Sequence, residues 1–310
     1  MATTARGSFS NANRHMQEEE TLRLTSVGVD IGSSTSHLVF SRLELTLEGS
    51  RYRVTKREVL NESEILLTPY VDDTRIDVEA LETFINEQYR AAKIRREEVD
   101  TGALILTGVA VRRRNARAIA DLFAEEAGKF VAVSAGDGLE ATMAAHGSGA
   151  VAHSGKTGGV VLNVDVGGGT SKFALCNNGK VQEVSAIDIG ARLLAFDKEG
   201  AIARIEEAGR KHAAWAGFAV ELGQKIAEAD LRKMVAGMVD KLFTMFKPQA
   251  LTDEVKDLLR LPPLSYQGEI DCVMFSGGVS EFIYNRSKST FGDLGPLIAE
   301  EIHRRMAELG

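Results

Sequence analysis

The sequence predicts a two-lobed α/β protein made from one duplicated unit. Three observations predict it. The length of 310 residues fits two domains of roughly 150 residues each. Short apolar runs of strand type alternate with longer segments of helical period. A string of small and apolar residues near the N-terminus also returns, without gaps, 135 residues further on.

Taken in order, residues 1–21 are expected to be a solvated tail. They hold no apolar stretch of secretory type, and Glu18, Glu19 and Glu20 come just before the first apolar run. The first lobe is expected over 22–154. Its opening runs, 22–31 and 37–45, are rich in β-branched and apolar residues, with Gly32, Ser33 and Ser34 between them, which reads as two strands and a tight turn. A third strand is expected at 52–60. Leu81, Phe84, Ile85 and Tyr89 then lie on one face of a helix over 78–94. A strand at 103–108, a helix at 113–127, a strand at 130–136 and a small-residue helix over 138–146 follow.

The second lobe is expected over 155–310. It opens with a strand at 159–166, then a glycine cluster and two further strands. A long helix over 221–246 carries Met234, Met238, Leu242 and Met245 at helical spacing, a core stripe. Trp215, in an Ala-rich stretch, is assigned to a surface subdomain. A strand at 271–276 runs into Gly277 and Gly278, and helices are expected at 280–284 and 295–309.

Composition narrows the function. The net charge of −7 and pI near 5.5 disfavour nucleic-acid binding, which needs surplus Lys and Arg. Cys176 and Cys272 are the two cysteines, too few for a disulfide framework or a four-cysteine zinc site. No apolar run reaches the ~18 residues a membrane helix needs. A cytoplasmic protein is expected. The basic run Arg112, Arg113, Arg114 and Arg117 reads as a solvated face. Residues 149–157, GAVAHSGKT, miss the spacing of the phosphate-binding P-loop by one residue and come in the wrong strand–helix order, so Lys156 is expected to be exposed.

The repeat carries the chemistry. VGVDIGSSTSHLVF (27–40) aligns on LNVDVGGGTSKFAL (162–175), matching Val29, Asp30, Gly32, Thr35 and Ser36 with Val164, Asp165, Gly167, Thr170 and Ser171. Each copy ends a buried strand with Asp and then turns through small residues. Backbone N–H groups in such turns converge on anions, and missing side chains let a phosphate approach. A carboxylate beside phosphates suits Mg²⁺, which takes oxygen ligands and keeps several waters. Two such loops across a cleft could grip one triphosphate, with Gly32 to Thr35 on one side and Gly167, Gly168, Gly169 and Thr170 on the other. The pair Gly277 and Gly278, at a strand-to-helix turn, could let a flat base lie against the backbone.

VGVDIGSST, LNVDVGGGT and VMFSGGVSE together resemble the first phosphate, second phosphate and adenosine motifs of the actin, heat-shock-chaperone and sugar-kinase superfamily. AIDIGARLLAFD (186–197) resembles the chaperones' glycine turn after the second hairpin. The match is closer to the family of ethanolamine ammonia-lyase reactivating proteins. DIGSSTSHLVFSRLEL, TGVAVRRRNARA, KFVAVSAGDGLEATMAAHGSGA and DLGPLIAEEIH carry that match. The resemblance implies a duplicated actin-like (ribonuclease H-like) fold with ATP and Mg²⁺ in the cleft. It implies an ATPase that releases damaged cobalamin from ethanolamine ammonia-lyase, in the cytoplasm or with a bacterial microcompartment. EATMAAHGSG (140–149) looks like the connecting helix, which makes Glu140 the residue that orients the attacking water. Asp30 and Asp165 would then position Mg²⁺.

Two departures are expected to matter. Val109 stands where the family has an acidic residue. Family members also run on beyond position 310, so the second lobe is expected to be incomplete and its hold on nucleotide weaker. A small-molecule kinase of the same superfamily and a filament-forming protein are the alternatives.

Overall fold

The computed structural model describes residues 21–32, 35–72, 75–106, 130–134, 136–246, 251–287 and 290–309. Ser33, Ser34, Val109, the basic run and the helix expected at 113–127 lie outside the described residues.

The first sheet opens with a meander of β1 (Thr21–Ile31), β2 (Thr35–Glu48) and β3 (Arg51–Glu62). The short strands β4 (Leu66–Leu67), β5 (Tyr70–Asp72) and β6 (Arg75–Ile76) lead into α1 (Val78–Ala92). Asp77 caps α1 by accepting from Ala80 N at 3.0 Å. The helix ends at Lys93, whose φ of 57° is left-handed. Leu81, Phe84, Ile85 and Tyr89 face inward as expected and pack on Val27, Val29, Ile31, Leu38 and Phe40 of β1 and β2. After α1, β7 (Thr101–Leu106) and β8 (Phe130–Ser134) add parallel strands on the other side of β1. The order is β3-β2-β1-β7-β8, with β4 against β2.

Two helices, α2 (Asp137–Gly147) and α3 (Ala150–Thr157), carry the chain to the second sheet. Ala145, Ala150 and Val151 pack against Val161, Ala174 and Cys176, so both helices sit on the second sheet. Lys156, on α3, is exposed. The sheet is a second meander, β9 (Val161–Val166), β10 (Ser171–Asn177) and β11 (Lys180–Ile187). A hairpin, β12 (Leu194–Phe196) with β13 (Ile202–Ile205), precedes α4 (Glu207–Ala216), α5 (Glu228–Thr244) and α6 (Asp253–Leu258). Then β14 (Cys272–Ser276) joins β9 in parallel, followed by α7 (Ser280–Ile283) and α8 (Gly295–Leu309).

Among the described residues the second order is β11-β10-β9-β14. In each sheet an antiparallel meander has its first strand at the centre and a later parallel strand beside it. This is the duplicated α/β fold expected from the repeat, in the actin-like form that the resemblance implies. The inner strand β9 is buried along most of its length because both its faces are covered. Leu162, Val164 and Val166 join the large core of the second lobe, and Val161 faces α2 and α3.

Two expectations are corrected. The helix expected over 221–246 begins at Glu228, because residues 221–227 are irregular, with a turn at Leu222 and Gly223 where Gly223 has φ 79°. Its Met234, Met238, Leu242 and Met245 are all in the core. Trp215 is not on a separate surface subdomain. It lies on α4, partly buried against the second-lobe core, edge-on to His212 and beneath the Lys241 ammonium.

Candidate functional site

A cleft of about 1020 Å³ lies between the two sheets. Asp30, Gly32 and Thr35 line it from the first loop, Asp165 and Gly167 to Thr170 from the second, Gly277 and Gly278 from the third turn, and Glu140 from α2. Every expected site residue among the described residues therefore meets the same cavity.

The two loops are closed by corresponding backbone hydrogen bonds. Gly32 N donates to Thr35 O at 2.7 Å, and Gly167 N donates to Thr170 O at 3.0 Å. These bonds close the meander hairpins just past Asp30 and Asp165, whose strands end at Ile31 and Val166. The second loop is braced further. Ala191 N donates to Gly167 O at 3.0 Å and Arg192 N to Gly168 O at 2.6 Å. Gly190 lies so close that a Cβ there would sit 2.4 Å from Gly168 O. Ser171 Oγ fixes the same segment by donating to Ile189 O at 2.7 Å. The first loop is held by Thr68, whose hydroxyl donates to Gly32 O at 2.8 Å.

Gly277 has φ 79°, and a Cβ there would meet Val166 O at 2.6 Å and Asp165 Oδ1 at 2.7 Å. Only glycine fits both the conformation and the space. The third turn thus lies directly on the strand that ends in the second loop. Ser276 Oγ donates to Asp165 Oδ1 at 3.2 Å and accepts from Asn163 Nδ2 at 3.0 Å.

The charged centre includes a residue that the motifs did not point to. Lys172 pairs with Asp165 across the β9–β10 ladder, and its Nζ stands 2.7 Å from Glu140 Oε2. The Lys172 and Glu140 side chains are 11% and 8% exposed. The contact is a short, buried, charge-assisted pair, and Glu140 Oε1 has no hydrogen-bond partner among the described residues. Burial lifts the Asp165 carboxyl above the usual carboxylate range. The Lys172 charge and the Ser276 hydroxyl oppose that rise, and Glu140 adds to it. Burial pulls Lys172 down, but Glu140, Asp165 and Asp137 outweigh it and hold the ammonium above its ordinary value. The signal for Lys172 was the hairpin itself: a residue two beyond Thr170 lands opposite Asp165. The first lobe repeats the pattern with His37 opposite Asp30 and Glu62 beside His37.

A second buried pair was also not foreseen. Arg192 and Asp293 meet at 3.0 Å at the cleft wall, with the guanidinium 5.5 Å from the Phe291 ring centre. Burial lowers Arg192, against the pull of Asp293.

A magnesium ion fits this donor set. Asp30 and Asp165 offer hard oxygen ligands, and Glu140 brings a buried carboxylate whose Oε1 has no hydrogen-bond partner among the described residues. Among the described residues no three His, Cys, Asp or Glu side chains are grouped to hold a metal by themselves. That suits an ion completed by water and phosphate oxygens. No helix among the described residues is long and apolar enough to cross a membrane.

Comparison with known proteins places the chain. The model of the family described as ethanolamine utilisation protein EutA matches residues 22–308. The chain belongs to that family. It is 34% identical over 290 residues to the ethanolamine ammonia-lyase reactivase EutA of Salmonella typhimurium, covering 91% of this chain and 62% of the relative. It is 35% identical over 294 residues to the reactivase of the same name from Escherichia coli, covering 91% and 62%. The chain thus spans less than two thirds of the length of these EutA relatives. Among solved structures, a Ppx/GppA family member of Aquifex aeolicus superposes with a TM-score of 0.48 at 17% identity, over 87% of this chain and 72% of the other. That likeness is too distant to carry an argument about function.

Proposed function

We propose that the cleft binds ATP with Mg²⁺ and hydrolyses it, and that this drives reactivation of ethanolamine ammonia-lyase by exchange of damaged cobalamin. One observation carries the nucleotide reading. Two loops closed by corresponding backbone hydrogen bonds and a glycine-only third turn open on a single cavity, each loop with an aspartate at its strand end. The partner follows from the family and from the printed names of its reactivase relatives. In this reading the sheet of β1–β3, β7 and β8 and the sheet of β9–β11 and β14 are the cores of the two lobes, and α2 and α3, which pack on the second, join them.

The backbone of Gly32 to Thr35 and of Gly167 to Thr170 would hold phosphates, and Gly277 and Gly278 would face the adenosine. Asp30 and Asp165 would hold the magnesium, which when bound neutralises charge on the phosphate oxygens. Glu140 would accept a hydrogen bond from the attacking water, and its buried Oε1, without a hydrogen-bond partner among the described residues, is suited to that. Phosphoryl transfer asks little covalent work of side chains, so positioning and electrostatics supply most of the rate. The experiment is ATP turnover by the chain alone and with inactivated lyase. Turnover that rises with inactivated lyase and restores its activity is the expected result. ATP binding without any effect on the lyase would leave the nucleotide site and remove the partner.

A further inference from the structure

Lys172 is the ammonium among the described residues that line the cleft; the other fixed cation there, Arg192, is committed to Asp293. It is fixed by register, opposite Asp165 on the neighbouring strand. Its partner Glu140 comes from α2, and the pair is almost fully withdrawn from water. Two buried carboxylates with no cation between them would repel strongly at low dielectric. The lysine meets Glu140 at Oε2, while Oε1 is buried with no hydrogen-bond partner among the described residues. A fully satisfied network would hold that carboxylate in place; a single contact leaves it open to another partner.

We propose that Lys172 is a resident counter-ion that occupies the cation position of the nucleotide-free cleft, bars a bare divalent metal from it, and releases Glu140 only when a phosphate group gives the ammonium a new anionic partner. The inference rests on the nucleotide reading of the cleft. It makes Lys172 a positioning residue, acting through Glu140 and Asp165. The cleft would then take its metal as a metal–triphosphate complex, and the water-orienting carboxylate would be freed only with a triphosphate in place. Metal–nucleotide and nucleotide-free states would thus differ in which anion faces one lysine.

The test uses Mn²⁺ alone, with no nucleotide, binding to the full chain and followed by electron paramagnetic resonance. Wild type is expected to bind Mn²⁺ weakly at the cleft. Lys172→Met, which leaves Glu140 and Asp165 uncompensated, is expected to bind it at least ~10-fold more tightly, since a unit charge at this range and dielectric is worth more than one decade. Lys172→Arg keeps the charge and is expected to behave as wild type. If Met is not tolerated at so buried a position, Lys172→Gln removes the charge but keeps a donor for Glu140, and the same tightening is expected. Equal Mn²⁺ affinity in wild type and the charge-removed variant would overturn the proposal, as would Arg tightening as much as Met. Because no nucleotide is present, this result is independent of whether ATP binds. Failure of wild type to bind ATP in a separate titration would instead remove the nucleotide reading.

Discussion

In the first lobe His37 stands across the hairpin from Asp30 and meets Glu62 at 3.3 Å; in the second, Lys172 stands across from Asp165 and meets Glu140 at 2.7 Å. The positions correspond one to one in the repeat. The surroundings do not. The His37 and Glu62 side chains are 28% and 64% exposed, and such a pair is worth about 0–1 kcal/mol. The second pair is buried, comes from a helix and a strand, and lies beside a loop pinned by Gly190, Ala191 and Arg192. The repeat places corresponding residues at both hairpins, and burial separates the two copies. The first pair stands open to solvent. The second is built to hold charge at low dielectric, where electrostatics can act on a reacting group.

The largest effect that would sharpen this contrast is at the two aspartates. Asp165→Asn is expected to lower ATP hydrolysis by about 10³-fold or more, and Asp30→Asn by about 10–10²-fold. Phosphate release by variants of unchanged circular dichroism checks it, and equal losses would erase the distinction between the loops.

Glu140 and Glu62 come next. Glu140→Gln is expected to slow turnover by about 10²-fold or more with ATP affinity little changed, whereas Glu62→Gln stays within about twofold of wild type. The structure adds a stability cost at Glu140. Its side chain is buried against Lys172, so Glu140→Ala is also expected to lower the melting temperature.

The bracing of the second loop can be broken by one methyl group. In Gly190→Ala the new Cβ would press on Gly168 O, and ATP affinity is expected to fall by ~10-fold or more in a calorimetric titration. Gly28→Ala, with nothing within 4 Å of its Cβ, is expected to change affinity by less than twofold.

A further effect, on stability rather than turnover, concerns His212 on α4. Burial pushes the His212 imidazole down to about 4. Its folded value lies below the unfolded one, so the unfolded state binds more protons between the two. Stability is fully present above pH ~6.5 and falls as pH drops toward ~4, by about 3 kcal/mol in all. Urea midpoints across that range are expected to be flatter in His212→Gln than in wild type.

Much of this was legible in the sequence for a physical reason. The repeat fixed the turn residues, and turns of small residues have few conformations, so the loops and the strand-ending Asp30 and Asp165 could be named. The face of α1 and the methionine stripe of α5 follow from helical period. The start of α5 was misplaced because 221–227 continue the apolar spacing while Gly223 adopts a left-handed φ that ends it. Trp215 was misplaced because an Ala-rich polar stretch hides the side that α4 turns to the core. Lys172 was readable only through cross-strand register, which needs the hairpin closed at Gly167 and Thr170. Arg192 and Asp293 are 101 residues apart in sequence, and no local pattern joins them.

That both loops grip one nucleotide is tested most directly by calorimetric titration of Mg²⁺ and a non-hydrolysable ATP analogue into wild type, Asp30→Asn, Asp165→Asn and the double variant. One analogue per chain is expected, with the double variant losing clearly less or more than the two single losses added, because both groups act on the same triphosphate. Strictly additive losses, two analogues per chain, or undiminished binding in the double variant would contradict it.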